Sequence, residues 1–418
     1  MVDLNALEAD LSDLRKRTLD DIGAEDYDHL RRVERIGRTC TVVGYATAAI
    51  VPNPASMAMI SVGNVVRWTA VAHSVCHRGY DRIEGVAAHH TSAGFARGKQ
   101  RLWYWLDWIL PDAWHQEHNV LHHYRLGEVH DPDCLEVNMA LLRDASMPVA
   151  LKVLIVGLIV TVWKPVYYAP NTLLALWKKQ AKRVGDEVAS NMMSKPATWL
   201  ALNPFGRSLW ARSLGPYIAV RFALIPAAFA SLGLFSLLAP EQVASLGLSP
   251  LQGVLALAAI VVGNVLLNSI GAELLANAHS FAVVVPNHSG DDIPRFDTPV
   301  QGKGDFYLRQ IVGSVNFTSS GFATDFLQGW LNYQIEHHLF PDLPLSQYRK
   351  IGPEVREICR KHGIVYREET LWARVLKTVQ VMVGVATPPH QEHSNVPLVQ
   401  APAEEAHATF GTSELVLE

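Results

Sequence analysis

Seven histidines fall in three short clusters, His73-Ser-Val-Cys-His77, His118-Asn-Val-Leu-His122-His123 and Gln334-Ile-Glu-His337-His338. Neutral imidazole is a nitrogen donor that suits zinc, copper, iron and nickel. Residues four apart share a helix face, so His73 with His77, and His118 with His122, are predicted to point at a common ion. Adjacent imidazoles such as His122 and His123 diverge by about 100°, which lets neighbouring rings serve two ions. Closed zinc sites usually take four ligands, and this set exceeds that, so the clusters predict a two-ion centre. At a cytoplasmic membrane face, iron with oxygen chemistry is the most economical choice, with zinc and manganese as competing ions.

The elements that must position these residues are apolar helices. The chain has 418 residues, 49% of them hydrophobic and 18% charged, and that charged fraction is below the roughly 25% of soluble domains. A helix needs about 20 mostly apolar residues to cross a bilayer. Segments 216–239 and 251–275 meet this and form a transmembrane hairpin around a tip whose one charge is Glu241. A second hairpin is predicted in 39–72, turning at Pro52-Asn-Pro54. The run 149–163 holds Lys152, ends at Lys164-Pro165 and reads as interfacial or re-entrant. The expected fold is therefore all-α, with about four transmembrane helices in two hairpins and a cytoplasmic helical cap carrying the histidines.

Topology and chemistry constrain each other. Three clusters that share one site must lie on one membrane face, so an even number of crossings separates His123 from His337. Arg31, Arg32, Arg35 and Arg38 precede the first hairpin, and Lys178, Lys179, Lys182, Arg183, Lys195, Arg207 and Arg212 precede the second, while neither tip has Lys or Arg. The positive-inside rule then places both termini and all clusters in the cytoplasm, in an inner or cytoplasmic membrane. Expected divisions are a cytoplasmic segment 1–38, a membrane domain 39–350, a cytoplasmic helical segment 351–385 and a disordered tail 386–418, rich in Pro, Ala, Glu and His. The acidic, polar first 30 residues do not read as a secretory signal. Four scattered cysteines give no disulfide framework or C-x-x-C site. A net charge of -4 and no basic motif argue against nucleic-acid binding.

The spacing and neighbours of the clusters resemble the histidine boxes of membrane fatty acid desaturases. The third, in Gly329-Trp-Leu-Asn-Tyr-Gln334-Ile-Glu-His337-His338-Leu-Phe-Pro341, is similar to the front-end acyl-lipid branch, whose last box begins with Gln. His118-Asn119, His122-His123 and Asp131-Pro-Asp133 resemble the second box, and His73 to His77 the first. The resemblance, over about 40–350, implies a non-haem di-iron enzyme that uses molecular oxygen and two electrons to remove two hydrogens from an unactivated acyl chain. Such a reaction needs a dry, shaped cavity, since water or a misplaced carbon would divert the oxidant. It also implies an eighth histidine ligand soon after the last transmembrane helix, where His279 stands. Gln334 would bind directly, bind through water or orient a neighbour. No His-Pro-Gly-Gly haem-domain signature occurs, so a separate ferredoxin or cytochrome-type donor is expected. Trp330 stands where the branch often has a second glycine, and this bulk is expected to reshape the substrate channel.

Other residues are expected around the centre. Glu128, Asp131, Asp133 and Glu336 could accept N–H bonds from ligand imidazoles and fix their tautomers, or form ordinary salt bridges. His115 and Asn119 are expected as supports beside the second box. His89 and His90 read as supporting or surface residues, His130 and His288 as loop residues, and His390, His393 and His407 as tail residues. Trp103, Tyr104, Trp105, Trp108 and Trp114 suggest an interfacial helix or the floor of an acyl tunnel. Asn264 and Asn268 suggest helix-to-helix hydrogen bonds. The acyl group could be carried by a lipid, coenzyme A or a carrier protein. A di-iron hydroxylase or acetylenase would use the same ligands, and a membrane zinc protein is the reading from another class. No ligand-bearing H-E-x-x-H supports that last reading.

Overall fold

The computed structural model describes residues 2–184, 203–233, 247 and 249–391. Segments 1, 185–202, 234–246, 248 and 392–418 lie outside the described residues, and with them Lys195, the end of the 216–239 run, Glu241, His393, His407 and most of the expected tail. Helices dominate, as expected. Four two-residue strands depart from the all-α expectation: β1 (Arg295–Phe296), β2 (Asn316–Phe317), β3 (Glu368–Glu369) and β4 (His390–Gln391). They pair in parallel as β1–β4 and β2–β3, with Arg295 opposite His390 and Asn316 opposite Glu368. Pairs this short staple loops together and leave the layering to helices. Because β4 belongs to one of these staples, the start expected for the tail at 386 falls inside a placed segment.

The N-terminal segment folds onto the cap. Helix Leu4–Asp20 starts at Asp3, whose carboxylate accepts from the Asn5 and Ala6 amides, satisfying donors that a helix start leaves unpaired. Leu7, Leu11 and Leu14 recur at helical spacing and are buried. Its polar side pairs Arg15 with Asp342 at 2.7 Å, Arg17 with Glu354, and Asp10 with Lys361 and His362.

Two hairpins follow from the sequence at different depths. Helices Ala24–Ala48 and Pro54–Val66 turn through a tip in which Asn53 caps the second arm and Pro54 opens it. The arms pack so closely that a Cβ at Gly63 would stand 2.7 Å from the Gly37 carbonyl. Among the described residues, two helices are long and apolar enough to cross a membrane, Pro204–Ser231 and Leu251–His288. A third crossing arises only if the pair Val149–Val160 and Lys164–Gln180, bent by 82°, counts as one span. Asn264 and Asn268 explain the difference between the hairpins. Asn268 donates to Ala48 and Val51 carbonyls and accepts from the Asn53 amide, while Asn264 donates to Ala49 and Ile50. They satisfy carbonyls that the end of the first arm leaves unpaired. The first tip therefore stops alongside 264–268, about 20 Å along the long helix from Leu251 at 1.5 Å per residue.

A buried polar layer crosses the bundle between the tip and the histidines. Arg221 bonds Tyr45 and Asn64, Glu273 accepts from Trp108 and Tyr217, and Lys164 pairs with Asp107 at 2.7 Å. Both partners of that last pair are about 5% exposed. Removing one partner of a buried pair strands the other charge, so Lys164→Met is expected to cost about 3–5 kcal/mol. Thermal unfolding of the detergent-solubilised chain should show it, and an unchanged midpoint would mean that Asp107 finds another partner.

Candidate metal centre

π-Helical turns precede the first histidine cluster and carry most of the second. Residues Arg67–Ala72 form a π-helical turn that leads into His73–Cys76, and His115–His122 is wound as a π-helix. In a π-helix the repeat is closer to five residues than four, and this changes which rings meet. His118 joins His123, five residues on, in a group with His73, His77 and His337; His122 joins His288 and His338 in a second group. Within each group one donor nitrogen from every residue lies within 4.8 Å of the others. His118 and His122, expected to share one ion, thus each enter a different histidine group as well. Those two rings also meet Asp133 in a third, overlapping group.

The donor atoms fit cations. His73 Nε2 stands 3.0 Å from His118 Nε2, which is 3.3 Å from His123 Nε2. Two nitrogens at right angles on one ion, each about 2.1 Å from it, are about 3.0 Å apart. His77, His337 and His338 each have a buried Nε2 with no hydrogen-bond partner, an expensive state unless a ligand occupies it. Burial, with neighbouring imidazoles adding to it, pushes His118, His123, His337 and His338 well below the usual histidine range. That shift favours the neutral imidazole, the form that donates to a metal.

The opposite ring nitrogens are held by the cap. His338 Nδ1 is 2.8 Å from Gln310 Oε1, His337 Nδ1 3.1 Å from Tyr348 Oη, His288 Nδ1 2.9 Å from the Gly313 carbonyl, and His122 Nδ1 2.9 Å from Asp131. The Tyr348 hydroxyl donates to the Pro341 carbonyl, leaving its oxygen to accept from His337. Each contact places the proton on Nδ1 and turns Nε2 inward. Burial lowers the affinity of His122 for a proton, but the carboxylates of Asp131 and Asp133 outweigh it and hold the ring above its usual value. Burial lifts Asp133 itself to about 6. Supports of this kind are worth about 10–100-fold in metal affinity. Gln310→Leu is expected to lower metal affinity within that range while the chain stays folded; retention of native affinity would show that packing alone orients His338.

Most expected site residues come together, and several do not. His279 lies outside both groups, with Nε2 2.6 Å from the Leu327 carbonyl. Its helix runs on to Val284, and His288, read from sequence as a loop residue, reaches the rings from another face. Gln334 Nε2 stands 2.8 Å from His288 Nε2, beside the second group. Asp131 and Asp133 reach His122, whereas Glu128 bonds Arg125 and the Val300 amide, and Glu336 bonds Asn316 and Tyr366. His115 is exposed and meets Asn119, which also donates to the Cys76 carbonyl behind the first box. His90 bonds Glu34 and Tyr27, and His89 stacks on Tyr104. Gln310 and Tyr348 carry no sequence signal for their role, since only the fold brings them to the rings.

Two adjoining cavities lead to the centre. One, about 400 Å³ of empty space, is lined by Trp68, Trp114, Leu331 and the inward faces of His73, His118, His122 and His288. The other, about 1090 Å³ including its open mouth, is lined mainly by apolar side chains, among them Met139, Ile159, Trp163, Phe281 and Met382. Asp133, Tyr168, Val284 and His288 line both and mark the junction. The aromatic stretch is not one helix. Trp103 is exposed, Trp105 and Trp108 are buried, and Trp114 packs on His73, His77 and His118. Trp330 takes left-handed backbone, φ 59°, and packs against His29, Phe322 and Phe326, away from the lining of both cavities.

The fatty acid desaturase family model matches residues 50–370. Among curated proteins, the chain is similar to an NADPH-dependent stearoyl-CoA 9-desaturase of Mycobacterium tuberculosis, 36% identical over 120 residues, 28% of each chain. It is also similar to Delta(8)-fatty-acid desaturase 2 of Arabidopsis thaliana, 34% identical over 100 residues, 24% of this chain and 21% of the relative. An acyl-lipid (9-3)-desaturase of Physcomitrium patens is 31% identical over 122 residues, 29% of this chain and 22% of the relative. The chain spans less than a third of the length of these relatives. No solved structure matches it.

Proposed function

The chain belongs to the fatty acid desaturase family, and we propose that it inserts a double bond into a fatty acyl chain, with molecular oxygen as co-substrate and two electrons from a separate donor protein. The observation that carries this is the division of eight buried histidines into groups of five and three beside an apolar cavity. Two iron ions held by those groups would supply the oxidising power that an unactivated C–H bond demands. His73, His77, His118, His123 and His337 would hold one ion, and His122, His288 and His338 the other, with Gln334 beside His288 Nε2 and displaced from it when the ion binds.

The chain's own residues do the rest. Gln310, Tyr348, Asp131 and the Gly313 carbonyl fix ring direction, so the donor set is formed before metal arrives. Apolar walls of the larger cavity exclude water and hold methylenes in register. Asp133, Tyr168 and Val284 frame the passage through which the chain reaches the rings. Both hairpins enter the bilayer from the histidine side, the second crossing it and the first reaching as far as Asn264 and Asn268. This keeps all three clusters on one face, which the positive-inside bias assigns to the cytoplasm.

The test is the lipid profile of a host expressing the chain beside its His337→Ala, His338→Ala variant, fed saturated and monounsaturated acyl chains. A new double bond made only by the intact chain is the expected result. A hydroxylated product would overturn desaturation in favour of oxygen insertion.

A further inference from the structure

We infer that the face of the cap built from helices Val149–Val160 and Leu371–Met382 lies in the bilayer interface, so that the mouth of the larger cavity opens into the lipid leaflet. This goes beyond the proposed reaction and rests only on the membrane reading of the long helix.

Helix Leu371–Met382 buries a cation, Arg374, beside Thr378, Val381 and Met382, and leaves large apolar side chains outside, unlike a helix whose outer face meets water. Arg374 is 0% exposed and donates to both Asp292 oxygens at 2.8 Å, and Lys377 pairs with Asp292 and Glu369. Trp372, by contrast, is 74% exposed, and Leu376, one turn on, is exposed with it. Leu141, Leu154, Leu158 and Val385 are likewise exposed on the neighbouring segments. Large apolar side chains exposed on adjoining segments mark an interaction surface. Tryptophan at its edge suits the headgroup level of a bilayer.

Continuity chooses the occupant. Val149–Val160 packs on both the long helix Pro250–Val284 and helix Leu371–Met382, and Trp163 donates to the Asn277 carbonyl of the long helix. The exposed face thus joins the membrane-facing side of the long helix, where Leu274 and Leu275 are also exposed. The cavity lies between the same elements, with Ile159 and Met382 on its wall. Its lining includes no Lys or Arg. The nearby cations are committed elsewhere, Arg143 to the Val381 and Ala386 carbonyls and Thr387, and Lys152 to the Arg143 carbonyl.

The test places a nitroxide label at Leu376→Cys or Leu141→Cys in the full-length chain in phosphatidylcholine nanodiscs, with Arg360→Cys on the far side of the cap as control. The unsubstituted chain sets the background from Cys40, Cys76, Cys134 and Cys359. Dissolved oxygen is expected to relax labels at 376 and 141 at least twofold more than a water-soluble nickel chelate does, with the reverse at 360. Chelate-dominated relaxation at either 376 or 141 would overturn the inference. Neither outcome depends on metal loading or turnover, so the desaturase proposal is judged separately.

Discussion

His288→Ala is expected to abolish product and strip metal from the second group, while His279→Ala retains both. Among the described residues, His288 supplies one of the three histidine nitrogens in that group. His279 spends its Nε2 on the Leu327 carbonyl, so its loss removes one hydrogen bond, worth about 1 kcal/mol of stability. The expected fall for His288→Ala exceeds the roughly 10–100-fold that lost supporting contacts cost. Metal content and product should be measured on the same preparations. If His279→Ala loses metal while His288→Ala keeps it, the assignment of the second group is wrong.

Val284→Trp is expected to leave metal bound and to cut turnover of long acyl chains about a hundredfold, equal to about 2.7 kcal/mol. Val284 lines both cavities at the junction framed by Tyr168, Asp133 and His288. An indole there would fill the passage between the two cavities. Val284→Ala, which widens the same passage, should keep turnover within a few-fold of the native rate. Native turnover of long chains by Val284→Trp, with product confirmed, would show that the chain reaches the rings by another path.

The histidine boxes were legible because their residue types and short spacings stand in the chain itself, whatever helix bears them. The sequence hid their pairing, because the π-turns around His118 shift the repeat from four to five and no residue type announces that. The second hairpin was legible from 25 consecutive mostly apolar residues, 251–275. The depth of the first depended on Asn264 and Asn268 meeting its tip, a long-range contact that local pattern does not carry. That His288 joins a histidine group while His279 bonds the Leu327 carbonyl has a related reason. Both stand near the end of the same helix, and only the packing of Gly313 and Leu327 against it decides which ring turns toward the clusters. Asp131 and Asp133 were found through their closeness to the second box. Glu128 and Glu336, equally close in sequence, point into the Arg125 and Tyr366 sides of the cap.

The most direct test of the two-ion account is iron titration of the metal-free full-length chain, with double-bond formation followed at each addition. Activity should rise with iron, saturate at about two ions per chain as two imidazole groups require, and fail to return with zinc. Saturation at one ion, or equal restoration by zinc, would contradict it.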